Sequence, residues 1–321
     1  MKTRSTLKNE IPIFFAVDDR YLPYLAVALR SLIDNASKEY NYKVFILIDE
    51  LSKESRSVIC EMCTDNFSAE FICVKECLAS FSEKLHLRDY YTKATYYRFF
   101  IPEMFPCYDK GVYLDCDIVV SGDISRLYNT NLSNNIVAAV TDEVITDIPV
   151  FAAYSEKFLN IERRKYFNAG ILVMNLKEMR RMNIIGCLTS LMKKRTFTVA
   201  QDQDYLNVIC YDRVKYVDGS WNKTPFPYSD KKAVPNIAHY KINFKPWHYS
   251  GVMYEELFWK YAEKTPYYSS LLAERDGYTE ENQARDNEQY ENLKKLAMSE
   301  ILSVSPEKTV IPKSFMLRGV I

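Results

Sequence analysis

Gly111-Val112-Tyr113-Leu114-Asp115-Cys116-Asp117-Ile118-Val119-Val120 is an apolar run broken in its middle by two aspartates one residue apart. Its apolar residues are mostly β-branched or aromatic, so the stretch predicts a buried strand. A buried carboxylate without a partner is costly, and two ionised ones at close range repel each other. One reading gives the pair a divalent cation with a preference for oxygen ligands. The other leaves both carboxylates in water at an ordinary strand end. The stretch alone leaves both open.

Upstream, Ile11 to Val17 is a second buried strand with Asp18-Asp19-Arg20-Tyr21 at its carboxyl end. Tyr24, Leu25, Val27, Ala28, Leu29, Leu32 and Ile33 then recur at helical spacing. Val44 to Ile48 predicts a strand, Ser52 and Ser55 open a helix, and Phe71 to Val74 is a further strand. This alternation predicts an α/β chain with a doubly wound, mainly parallel sheet flanked by helices. Ligands of such sheets bind beyond the carboxyl ends of the strands, where Asp18, Asp115 and Asp117 fall.

Downstream, Thr92 to Phe100 predicts a helix start, with Arg98 in an aromatic setting (Tyr96, Tyr97, Phe99, Phe100). Ile136 to Val140 is a strand, and Thr141 to Tyr166 lacks periodicity and reads as an irregular, mobile excursion. Phe167-Asn168-Ala169-Gly170 leads into the strand Ile171 to Met174, and Leu176 to Lys193 predicts one helix. Gln201-Asp202-Gln203-Asp204 opens another helix. Acids favour helix N-termini, and the alternating amides and carboxylates also offer groups for a polyhydroxylated ligand. Ile237-Ala238-His239-Tyr240 is a short strand; with three histidines in the chain, His239 is a candidate to complete an Asp-Asp site.

Composition bounds the rest. The 321 residues suit one large domain with an appendage, and 48% hydrophobic content supports a substantial core. Lys+Arg and Asp+Glu both count 42, so the charge gives no sign of nucleic acid as a partner. Gly is scarce and no Gly-rich phosphate fingerprint occurs, so any bound nucleotide needs side chains and a metal for its phosphates. Met1 to Glu10 does not read as a secretory leader, and no stretch reaches the ~20 apolar residues of a membrane span. Cys60, Cys63, Cys73 and Cys77 superficially resemble a zinc site, but they fall on different predicted elements and read as buried free thiols in a cytoplasmic protein. From residue 273 the chain turns polar, which divides it into a catalytic domain over 1–272 and a polar helical extension over 273–321. Within that extension, Ile311 to Ile321 combines Lys313 and Arg318 with apolar residues, a tail suited to docking or to peripheral membrane contact.

The order of these blocks resembles the family-eight retaining glycosyltransferases, which include lipopolysaccharide galactosyl- and glucosyltransferases and glycogenin. Ala16-Val17-Asp18-Asp19-Arg20-Tyr21 matches the family's first-strand nucleotide motif, and Tyr113-Leu114-Asp115-Cys116-Asp117 matches its aspartate-x-aspartate motif. Phe167 to Gly170, Gln201 to Asp204, and His239-Tyr240 with Lys245-Pro246-Trp247-His248 match the later blocks in order. The resemblance implies a GT-A-like fold with a C-terminal helical tail and a UDP-hexose donor, glucose or galactose. It implies Mn2+ or Mg2+ on Asp115, Asp117 and His239, with Lys245 on the phosphates. Ala16, Asp18, Arg20 and Tyr21 would bind the nucleoside. Arg98, Asn168, Ala169, Asp202 and Gln203 would surround the donor sugar, with Gln203 and Asp202 as catalytic residues.

The acceptor implied is a glycan or lipid-linked saccharide of the cell surface. One departure is Ile242 where the family has glycine, which changes how closely backbone can approach the diphosphate; Lys241 is a candidate compensating cation. Three alternatives stay open in the sequence. Asp115-Cys116-Asp117-Ile118-Val119-Val120 fits a haloacid-dehalogenase-like phosphohydrolase with Asp115 as nucleophile; a non-catalytic sugar-nucleotide binder needs the same residues; and 25 tyrosines supply acceptors for self-glucosylation.

Overall fold

The computed structural model describes residues 9–50, 52–75, 93–226 and 234–303; Cys77 and the tail Ile311 to Ile321 lie outside them. In chain order the strands are β1 (Glu10–Ala16), β2 (Asn41–Ile48), β3 (Phe67–Cys73), β4 (Gly111–Leu114), β5 (Ile118–Val120), β6 (Val137–Ala139), β7 (Ile171–Met174), β8 (Val214–Tyr216) and β9 (Ile237–His239). A seven-stranded sheet runs β3-β2-β1-β4-β7-β6-β8, parallel from β3 through β4 and again between β6 and β8. Only β7 runs against both neighbours. The mainly parallel, helix-flanked sheet expected from the sequence is present.

Alternation along the central strands explains why both faces are covered. Ile13, Phe15, Val44, Ile46, Val112 and Leu114 point into one apolar cluster, and Phe14, Phe45, Leu47 and Tyr113 into the other. Helices α1 (Leu22–Asn35) and α2 (Lys53–Glu61) carry the chain between the first three strands, with Pro23 in the first turn of α1, where no intrahelical donor is needed. The later helices are α3 (Ile101–Met104), α4 (Ile124–Tyr128), α5 (Glu143–Asp147), α6 (Pro149–Ala153), α7 (Leu176–Arg181), α8 (Ile184–Lys194), α9 (Asp202–Ile209), α10 (Glu255–Ala262), α11 (Tyr268–Asp276) and α12 (Glu280–Ser303).

Several expectations need correction. The stretch 111–120 is two strands: β4 belongs to the main sheet, whereas β5 leaves it and pairs antiparallel with β9 in a small ribbon. The turn at Asp115-Cys116-Asp117 lets both carboxylates leave the apolar layer without breaking either ladder. Leu176 to Lys193 is two helices, because Asn183 takes the left-handed conformation (φ 52°) and its side chain caps α8 through the Gly186 N–H. Lys93–Phe99 is a 3-10 turn that buries Arg98 among aromatics. Thr141 to Tyr166 is not irregular. It folds into α5, α6 and a π-turn, with Phe151, Tyr154 and Phe158 buried. Each piece is five residues long, too short to display a 3.6-residue repeat.

The compositional change at 273 falls inside α11. Beyond it, α12 packs back against α6 and the π-turn and is tied at both ends. The Asp286 carboxylate accepts from the Tyr249 and Tyr278 hydroxyls, and the Glu300 carboxylate from the Thr198 hydroxyl. The described cysteines are free thiols, but Cys60, Cys73 and Cys107 are exposed rather than buried.

Candidate active site

The carboxyl ends of β1, β4 and β6 and the amino end of β7 open on one edge of the sheet, because β7 runs opposite to its neighbours. That edge is a single cleft. Ala16, Asp18, Tyr21, Arg98, Asp115, Asp117, Asn168, Ala169, Asp202, Gln203, His239 and Lys245 all line it. Arg20 does not: it is exposed, pairs with Asp18 at 2.9 Å and borders the neighbouring hollow beside Trp247. The Asp18 carboxylate also accepts from the Arg20 and Tyr21 N–H groups, so it shapes the loop it starts.

The centre is Asp115, Asp117 and His239, whose candidate ligand atoms lie within 4.8 Å of one another. Register explains this: in the β5/β9 ribbon His239 sits opposite Ile118, next to Asp117. His239 Nε2 faces Asp117 Oδ1 at 3.2 Å and Asp115 Oδ2 at 3.7 Å. Gly170 lies under the cluster, where a Cβ would run into Asp115 Oδ2 and the His239 ring. The cradle is therefore open only because residue 170 has no side chain.

Cations surround the acids. Burial alone would raise the Asp117 carboxyl, but Lys245 (Nζ–Oδ2 3.0 Å) and His239 hold it far below the usual carboxylate range. The Asp115 Oδ1 accepts from Arg98 Nη2 and the Tyr113 hydroxyl, each at 3.1 Å. Arg98 also lies 3.3 Å from Asp202, donates to the Ala169 carbonyl and stacks over the Tyr113 ring. Burial pushes the Asp202 carboxyl up to about 7; Arg98 pulls against that shift and Asp115 adds to it. Asp115 is thus held by a guanidinium and a phenol, a poor arrangement for a nucleophile.

A chain of hydrogen bonds sets the direction of the His239 lone pair. Burial would raise the Asp142 carboxyl, but Lys241 and the Asn168 amide hold it below the usual range, so it only accepts. Asn168 must then donate to Asp142 through Nδ2 (2.8 Å), which leaves its Oδ1 to accept from Gly170 N–H and Asn222 Nδ2. Asn222 therefore presents Oδ1 to His239 Nδ1 at 2.9 Å, so that nitrogen carries the proton. Nε2 can then either carry a second proton and donate to Asp117 or, unprotonated, join the two carboxylates as a third ligand of a metal ion. The donor set, two carboxylates and an imidazole, suits a divalent ion such as Mn2+ or Mg2+.

Deeper in the cleft, Gln203 Oε1 accepts from the Ala169 N–H and Asn168, while its Nε2 donates to Asp142. The block Gln201 to Asp204 splits. Asp202 and Gln203 face the cleft, whereas Asp204 turns away and accepts from the Tyr154 and Tyr166 hydroxyls. Lys241 is paired with Asp142 at 3.1 Å, so it is not a spare cation for phosphate. Sequence reasoning missed Asp142 and Asn222. The first sits just past a strand end and was findable there; the second sits in a 3-10 turn with no signal.

A family model described as glycosyl transferase family 8 matches residues 12–251. The chain is 31% identical over 242 residues to a putative glycosyltransferase of Haemophilus influenzae, covering 74% of this chain and 71% of that one. It is 29% identical over 267 residues to general stress protein A of Bacillus subtilis, covering 75% and 88%. Among solved structures, the galactosyltransferase LgtC in complex with donor and acceptor sugar analogs superposes with a TM-score of 0.68 at 25% identity, over 80% of this chain and 96% of that one. The bifunctional glycosyltransferase WbbM gives a TM-score of 0.74 at 26% identity over 85% of this chain, which spans about half (53%) of WbbM.

Proposed function

Because this chain belongs to glycosyl transferase family 8, we propose that it is a metal-dependent retaining hexosyltransferase that takes glucose or galactose from a UDP-sugar. The acceptor in this reading is a glycan or lipid-linked saccharide in cell-surface polysaccharide or lipopolysaccharide-type synthesis. The reaction is placed in the cytoplasm, with the C-terminal tail as a peripheral membrane contact. Among the described residues, no helix is long and apolar enough to cross a membrane. The two-unit division at 272/273 belongs to the same proposal, with residues 1–272 carrying the chemistry.

The observation that carries the reading is the Asp115–Asp117–His239 cluster, whose three candidate ligand atoms lie within 4.8 Å of one another, with His239 Nδ1 already engaged by Asn222. A divalent ion bound there supplies Lewis-acid stabilisation of the departing diphosphate, with no proton donor needed. The protein's own residues do the rest. Lys245 holds a buried ammonium beside Asp117, preorganised where negative charge grows. Ala16, Asp18 and Tyr21 frame the nucleoside, and Arg20 enters only by holding Asp18. Arg98, Asn168 and Ala169 shape the sugar pocket, and Asp202 anchors sugar hydroxyls.

Retention needs either a covalent intermediate or attack from the same face as the leaving group. Retaining hydrolases set a carboxylate below the anomeric carbon. Gln203 is an amide, a poor nucleophile, and its oxygen is already held by two donors. Same-face transfer follows, with the leaving phosphate taking the acceptor proton and Gln203 stabilising the cationic sugar. The test is UDP release over a panel of UDP-sugars with Mn2+, with Mg2+ and with chelator. Release from a UDP-hexose only with metal supports the reading. Release that is indifferent to chelator, or none from any UDP-sugar, sinks it.

A further inference from the structure

The residues assigned to metal, nucleoside and donor sugar occupy one side of the cleft, and the remainder is differently built. Past Gln203 and Asp142 the lining becomes Val144, Ile145, Phe151 and Val199, and it is completed by Tyr290 and Leu293 of α12. The wall therefore includes a helix beyond residue 251, where the family match ends. Its placement is not accidental. The Asp286 and Glu300 ties hold α12 at both ends, Ala297 is fully buried, and the Tyr290 ring meets Phe151 edge-on at 6.3 Å. Gln289 borders the same space, and its buried Oε1 has no hydrogen-bond donor among the described residues.

We infer that α12 is the acceptor-side wall of this site, and that Tyr290 and Leu293 select an acceptor sugar carrying a hydrocarbon aglycone. The inference rests on the glycosyltransferase reading and adds the acceptor class to it. In the glycosyltransferase reading, the space beyond the donor sugar admits the nucleophile. The acceptor hydroxyl has polar partners in Asp142 and Gln203. The aliphatic part of the wall offers a sugar nothing. Val144, Ile145, Phe151 and Val199 are buried and only edge the space, so the apolar surface left to cover is chiefly that of the half-buried Tyr290 and Leu293, and Leu293 gains only from being taken out of water. A hydrocarbon group next to the reacting sugar supplies that surface.

The full chain is tested with two matched probe pairs, methyl against n-hexyl β-glucoside and methyl against n-hexyl β-galactoside. Two readouts are used: the concentration at which each changes UDP release, upward by transfer or downward by excluding water, and saturation transfer from protein to ligand protons by NMR. A fully buried methylene is worth about fourfold in affinity, so partial burial of the five extra methylenes of the hexyl chain predicts a half-effect concentration at least about tenfold lower than for methyl. Saturation should concentrate on the alkyl protons. Leu293→Asp and Tyr290→Ser should erase the preference and the alkyl signal, with the helical circular dichroism and UDP binding in the presence of Mn2+ unchanged. Equal methyl and hexyl values, a preference that survives both substitutions, or a variant that becomes faster with every glycoside overturns the inference. The last would mean that the helix obstructs the cleft. The NMR contact needs no turnover, so a failure to release UDP from any donor counts against the glycosyltransferase reading and leaves this result separate.

Discussion

The two ends of the cleft are made by different physics. The donor end is a lattice of charge: Asp115, Asp117 and Asp202 interleaved with Arg98 and Lys245, and an amide chain that fixes His239. Its Asp115, Asp117 and His239 come from strand ends, Arg98 and Asn222 from 3-10 turns and Asp202 from a helix start, and they hold one another in place with directional bonds. The far end is apolar and comes from helices, including one that reaches the site from almost 300 residues along the chain. Directional lattices tolerate no change of partner, whereas apolar walls can be re-shaped by substitution. In the proposed reading, this contrast assigns the chemistry to the first end and the choice of second substrate to the other.

The largest effect should come from the charged end. Asp117→Asn keeps shape and leaves an oxygen for Lys245, but removes one anionic ligand from the cluster. Metal-dependent UDP release should fall by about a thousandfold or more, with Mn2+ binding lost in calorimetry and circular dichroism unchanged. Wild-type turnover in this variant would break the contrast at its root.

The far end has one buried acid beneath it. Burial pushes the Asp204 carboxyl up to about 6, against hydrogen bonds from the Tyr166 hydroxyl, the Ala200 N–H and the Tyr154 hydroxyl. Its ordinary value is 3.8, so between about pH 4 and 6 the folded chain binds the proton more tightly than the unfolded one. Stability from this group is therefore full below pH 4 and declines as pH rises to 6, by about 3 kcal/mol at most. Asp204→Asn should flatten that part of the curve of unfolding midpoint against pH. A parallel curve for the variant would show that the acid beneath the wall stays ionised throughout.

How much of each end could be read from the sequence follows the same division. Asp115 and Asp117 stood out because carboxylates inside a β-branched run demand an explanation, and Asp18 because it ends another such run. His239 was only one of three histidines until the β5/β9 register put it beside Asp117. Asn222 left no trace, since an amide in a polar turn looks like any other until its partners are known. On the apolar side, Tyr290, Leu293, Ala297 and Ile301 recur at helical spacing, a stripe that a polar composition over 280–303 conceals. The strand break at Asp115 was hidden for the opposite reason: β4 and β5 are equally apolar, and only the partner of β5, far along the chain, takes it out of the main sheet.

Asn222 offers a sharper test of the lattice. Asn222→Ala removes the acceptor for His239 Nδ1–H, freeing the ring to place its proton on Nε2. Losing a group of this kind typically weakens metal binding by about 10- to 100-fold. Nitrogen NMR of the three histidines should show the His239 tautomer mixed in Asn222→Ala and unmixed in Asn222→Asp, which retains an acceptor. If both variants keep the wild-type tautomer, the amide chain is not what sets it.

The smallest effect is expected where the two ends meet, at Ile242. This β-branched residue holds φ at 57°, in the left-handed region, at a cost of about 1–2 kcal/mol relative to glycine. Its side chain is half-buried, lines the cleft and packs on the main apolar cluster, a gain of about 1 kcal/mol for partial burial. The two nearly cancel, so Ile242→Gly should move the unfolding free energy by less than about 1 kcal/mol in either direction. With no Cβ, the backbone beside Lys245 can come closer to a diphosphate, and UDP should bind about two- to fivefold more tightly in the presence of Mn2+. A loss of more than about 2 kcal/mol, or weaker UDP binding, would mean that Ile242 acts as part of the apolar wall rather than as a substitute in the phosphate loop.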